Sequence, residues 1–195
     1  MLREFKPTIL FLVKFFAIYL VFSTLYGIYI SGFDRDNVLD PITRVVANNC
    51  ISTASAIGYE AEIVQDDHLR IKTEEEQTFD SIWLDKVYAV SVEEGCNGVN
   101  IMILFAAFVV GFGGRIKNML WFIPLGLLFI HLANIGRLLL LSLLNVEWDG
   151  RGFHFFHKYG FTAVLYLAIL VLWYLWVMHL NGNNAVKSKS LDQNA

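Results

Sequence analysis

Cys96, Arg137 and His157 are the side chains in this sequence best suited to covalent chemistry, and each stands next to an apolar block. Cys96 sits in Glu-Glu-Gly-Cys-Asn-Gly, ahead of the run that opens at Val99. A thiol at a helix N-terminus feels exposed N–H groups and the positive end of the dipole, so a lowered pKa and a nucleophilic sulfur are expected there. Glu93 and Glu94 oppose that effect, and only a nearby cation offsets them. Gly95 and Gly98 leave room for a substrate backbone.

Arg137 lies inside an apolar segment, in ANIGRLLLLSLL. A cation there costs about 3 kcal/mol on insertion scales, so it faces a bundle interior, a cavity or a partner unless it snorkels to headgroups. Asn134 is one turn earlier on the same face and can share its site. Ala133 and Gly136 let a neighbouring helix approach closely. His157, with His154 one turn before it, supplies a base tuned for proton transfer near neutral pH, though paired interfacial histidines in an aromatic belt read equally simply. Both histidines with Cys96 still lack a fourth ligand and match no zinc spacing, so no metal and no cofactor is expected. His131 is expected only to hydrogen-bond another helix.

These residues need elements to hold them. The chain has 195 residues, 56% of them hydrophobic, and the excess is gathered in blocks. Apolar runs from Ile9 to about Ile30, Val99 to about Phe112, Met119 to about Leu144 and Phe161 to about Leu180 predict four transmembrane helices. The second is short, so the residues before it are expected to extend it or lie in the interface. No small-residue cleavage site follows the first run, which is therefore expected to be retained.

Arg3, Lys6, Arg115, Lys117, Lys187 and Lys189 flank the helices on one side, which predicts cytoplasmic termini and an inner-membrane, multi-pass protein. The expected division is a tail and first helix (1–30), an extracytoplasmic loop (31–98), a three-helix membrane core (99–180) and a disordered cytoplasmic tail (181–195). The fold class is an all-α integral membrane protein with a small extracytoplasmic α/β cap. In that cap, Pro41 to Ile57 reads as an amphipathic helix capped by Asp40. Glu62 to Lys72 reads as a hairpin and Val87 to Val92 as a further strand. Under this topology Cys96, Arg137 and His157 all fall near the outer membrane surface.

The set Cys96-Asn97-Gly98, Asn134-Ile135-Gly136-Arg137 and His154-Phe155-Phe156-His157, spanning about Glu93 to Trp176, resembles the exosortase/archaeosortase family, most closely its short F-type exosortases. Asn97 stands where longer members commonly carry Ser. The resemblance implies catalytic roles for Cys96, Arg137 and His157, with His154 as the fallback histidine, and substrate or support roles for Asn97, Gly98 and Asn134. It also implies a sortase-like cysteine transpeptidase or protease whose substrates are exported proteins. Their C-terminal sorting signals carry a recognition motif, a hydrophobic helix and a basic tail. The expected partners are those proteins and the lipid bilayer, with no nucleic acid, and no oligomeric state follows. Two alternatives use the same residues: a non-catalytic membrane scaffold with a Cys50–Cys96 bridge, and a membrane thiol oxidoreductase built on that pair.

Overall fold

A computed structural model describes residues 2–34, 38–65, 79–148, 155–156, 159 and 161–181. His154, His157 and the tail from 182 onward lie outside the described residues. The elements in order are α1 (Leu2–Asp34), α2 (Pro41–Ala56), β1 (Ala61–Val64), β2 (Asp80–Leu84), β3 (Val87–Val92), a 3-10 turn (Glu94–Cys96), α3 (Val99–Phe112), α4 (Ile116–Glu147) and α5 (Phe161–Leu175), continued by a π-helical turn (Trp176–Asn181).

α1 and α4, with 33 and 32 residues, are long and apolar enough to cross a membrane. At 1.5 Å per residue each is about 50 Å long, well beyond a hydrocarbon core of roughly 30 Å. α3, with 14 residues, is shorter than a full span, as is the apolar stretch Ala163–Met178. α3 keeps the limits expected of it. The residues before it do not extend it: they form the 3-10 turn, and Gly98 at φ +78° interrupts the helix.

The residues form two compact units, one made of residues 1–24, 99–130 and 166–195, the other of 25–98 and 131–165. In the first, Phe105, Val109, Phe122, Ile130, Ile169 and Trp176 make a core. Phe108 stacks on Trp173 with ring centroids 4.2 Å apart, and Phe122 on Trp176 at 5.1 Å. Two glycines set the helix spacing there. A Cβ on Gly111 would lie 3.1 Å from the Phe15 backbone, and one on Gly126 would lie 2.2 Å from the tip of the Phe105 ring. Phe105 is fully buried. Gly126→Val should therefore cost about 1–3 kcal/mol of stability, read as a lower thermal unfolding midpoint in detergent. Gly27→Val, which meets nothing within 4 Å, should leave the midpoint unchanged.

The second unit holds the cap. α2 begins as its sequence predicts: Asp40 Oδ1 accepts from the N–H groups of Ile42 (2.9 Å) and Thr43 (3.1 Å), and Pro41 occupies the first turn. The sheet is antiparallel, in the order β1-β2-β3. β1, the first limb of the hairpin expected over 62–72, pairs with β2, Ala61 opposite Leu84 and Val64 opposite Ser81. The second limb expected of that hairpin, Leu69 and Ile71, lies outside the described residues.

β2 carries no alternation to announce it, since Asp80, Ser81, Ile82 and Leu84 are all buried. Its turn into β3 is the pair Asp85–Lys86, both at positive φ (49° and 66°), the two-residue geometry that suits the twist of a hairpin. The Asp85 carboxylate accepts from the Glu60 N–H at 2.9 Å and steadies that turn. Arg44 of α2 pairs with the fully buried Asp80 at 3.5 Å and ties helix to sheet.

Candidate active site

One stripe of α4 organises the site. His131, Asn134, Leu138, Ser142 and Asn145 recur at helical spacing, and every one engages the cap or the turn that carries Cys96 or closes on its own helix. The His131 Nε2 lies 3.1 Å from the Asn49 amide of α2, the interhelical bond expected of it. Asn134 Nδ2 donates to the Cys96 carbonyl at 2.7 Å. Leu138 is fully buried in a core with Val46, Ala47, Cys50, Ile82, Leu84, Val90, Val92 and Cys96. Ser142 donates to the Leu138 carbonyl. Asn145 donates to the carbonyls of Tyr88 (3.1 Å) and Ala89 (3.0 Å), where β3 bulges against β2. α4 thus grips the strand and turn that deliver Cys96 at both ends.

Cys96 closes the 3-10 turn, its N–H donating to the Glu93 carbonyl at 2.8 Å, and is 4% exposed. The expectation of a lowered thiol pKa is corrected here. Burial pushes the Cys96 thiol up, the Arg137 guanidinium pulls it down, the Glu93 carboxylate pushes it up, and its backbone hydrogen bond at Glu93 pulls it down. The local dipole logic fails because the sulfur is desolvated, and desolvation outweighs the neighbouring charge. The Arg137 and Glu93 effects have the signs their charges require.

Arg137, three residues after Asn134, is the cation that acts on Cys96. Its Nε is buried with no hydrogen-bond partner among the described residues, and so is Asn134 Oδ1.

Two neighbours of Cys96, expected in substrate or support roles, make contacts within the fold. Asn97, 2% exposed, donates through Nδ2 to the Tyr26 hydroxyl of α1 and to Thr43 Oγ1 of α2 at 2.7 Å. It anchors the turn that carries Cys96 to two helices. A Cβ on Gly98 would lie 3.3 Å from Asn134 Cγ, so the absent side chain makes room for the Asn134 carboxamide. Gly95, by contrast, is exposed with nothing within 4 Å. Tyr26 and Thr43 carry no signal in the sequence: the first passes for an interfacial aromatic, the second for an ordinary helix residue.

Both cysteines are free. Cys50 is fully buried, and burial pushes its thiol up to about 11 against a hydrogen bond with Ser142 that lowers it. A folded-state value raised from 9.0 stabilises fully below about pH 9, and that stability fades as pH rises through about 11. The loss should be about 2–3 kcal/mol. Unfolding midpoints in detergent should fall over that window in the native chain and less steeply in Cys50→Ala.

No group of three or more His, Cys, Asp or Glu side chains among the described residues is placed to hold a metal. His157 and His154, the histidines expected at this site, lie outside the described residues.

No curated protein and no solved structure matches the chain. The family model for transmembrane exosortases matches residues 8–174, which takes in α1, the cap, Cys96, α4 and most of α5. A match over that much of the sequence, containing both the long apolar helices and the Cys96–Asn134–Arg137 cluster, settles the kinship: the chain belongs to the transmembrane exosortase family.

Proposed function

We propose that this chain is a cysteine transpeptidase or protease that removes C-terminal sorting signals from exported proteins at the outer face of the inner membrane. In this reading it spans the bilayer four times, with α3 and α5 joining the two long helices and both termini cytoplasmic. The observation that carries it is that two α4 residues act on the Cys96 turn, Asn134 by holding the Cys96 carbonyl at 2.7 Å and Arg137 by its charge on the buried thiol.

The Cys96 thiolate attacks the scissile carbonyl carbon and forms a C–S bond, and charge moves onto the carbonyl oxygen, where Arg137 stabilises it. The C–N bond then breaks, and the leaving amine takes a proton from His157, with His154 as the alternative donor. The product is a thioester on Cys96 and a released hydrophobic tail. An acceptor amine or water next attacks the thioester, gives its proton to the same histidine and frees the thiolate. Because Cys96 is desolvated and its thiol raised, bringing the base and substrate together is what generates the nucleophile.

Cells expressing the chain should accumulate a hydroxylamine-sensitive acyl adduct on the Cys96 peptide, seen by mass spectrometry, and none on Cys50. Adducts absent from Cys96 while sorting signals continue to be removed would exclude the covalent route.

A further inference from the structure

The Asn134 carboxamide is half used. Its Nδ2 is committed to the Cys96 carbonyl at 2.7 Å, which fixes the amide orientation, because a carbonyl oxygen accepts only from the nitrogen end. The other end, Oδ1, is buried without a partner among the described residues, on a side chain that is 0% exposed. A buried acceptor left unmatched is unfavourable and calls for a reason, and a partner that arrives with the substrate is one. One turn on, Arg137 Nε is a buried donor in the same condition. Asn134 is bonded to the Cys96 carbonyl and the Arg137 charge acts on the Cys96 thiol, and their unmatched acceptor and donor are the complement of the two hydrogen-bonding groups of a peptide backbone, an N–H and a C=O.

We propose that Asn134 Oδ1 accepts a substrate backbone N–H adjoining the scissile carbonyl while Arg137 Nε–H donates to the carbonyl oxygen. This rests on Cys96 as the nucleophile and adds a substrate class to it: chains with a secondary amide at that position. A proline, an N-methylated residue or an ester there leaves Oδ1 unmatched and is rejected. Asn134 in this role touches substrate with one end while the other end positions the nucleophile turn, so its two functions are separable by experiment.

Two small electrophiles isolate the contact without a known substrate. N-methyl-2-iodoacetamide carries one amide N–H, and N,N-dimethyl-2-iodoacetamide carries none. With either, the sulfur forms a bond to the methylene carbon, iodide leaves and the thiol proton passes to buffer. The full chain in native membranes is labelled with each, rates are read on the Cys96 peptide, and the ratio is compared with that for glutathione. Cys96 should favour the N–H probe about tenfold beyond the glutathione ratio, the value of one hydrogen bond to an otherwise unmatched acceptor. Asn134→Leu should return the ratio to that of glutathione, whereas Arg137→Ala should slow both probes and preserve it.

A general loosening of the site changes both rates together and leaves the ratio alone. A wild-type ratio equal to that of glutathione overturns the proposal even if Asn134→Leu fails to fold, and so does a ratio that survives Asn134→Leu. The ratio does not depend on turnover, so tail removal persisting in Cys96→Ala cells would count against the catalytic reading and not against this contact.

Discussion

Arg137→Ala should slow removal of sorting signals by about 100- to 1000-fold, the usual effect of losing one donor to a developing oxyanion. The same variant should shift Cys96 alkylation to higher pH, because the guanidinium pulls the thiol down against burial and Glu93. Each unit of upward shift removes about tenfold of the thiolate at fixed pH below the midpoint. Glu93→Gln should move the alkylation profile the other way. Arg137→Lys keeps the charge but not the buried Nε–H, so it should restore much of the alkylation profile and little of the processing. That split separates the electrostatic effect on the thiol from the directional bond to the substrate.

The two glycines flanking Cys96 should respond in opposite ways. Gly98 has φ +78°, and a Cβ there would press on Asn134 Cγ at 3.3 Å. Gly98→Ala therefore carries about 1–2 kcal/mol of left-handed strain and displaces the carboxamide that holds the Cys96 carbonyl. Misplacing a reacting group by about an ångström costs on the order of 100-fold, so processing should fall by about that much. Gly95→Ala meets nothing within 4 Å and should retain processing within about threefold. Equal losses in both variants would mean that the segment needs flexibility and not the Asn134 contact.

What could be read from the sequence was local. Asp40-Pro41 announces the start of α2 because a carboxylate cap and a first-turn proline act within one turn. Alternation gave β3, and the limits of α3 followed from where its apolar run begins and ends. Asn134 and Arg137 stood out because polar groups are costly in an apolar helix.

What could not be read depends on contacts distant in the chain. β2 is buried without a period of two, and its turn uses Asp85–Lys86 in place of the usual Asn-Gly. Asn97 finds its partners at Tyr26 and Thr43, 71 and 54 residues away. The acidity of Cys96 followed burial and not its place before a helix, and burial is a property of the packed unit.

The central claim is that Cys96 carries the chemistry and Cys50 does not. Mapping the C-terminal peptides of exported proteins by mass spectrometry, in cells carrying the native chain, Cys96→Ala or Cys50→Ala, tests it with no substrate chosen in advance. A set of proteins should keep their hydrophobic, basic-ended tails in Cys96→Ala cells and lose them in native and Cys50→Ala cells. Tails removed in Cys96→Ala cells as in native ones would contradict the account.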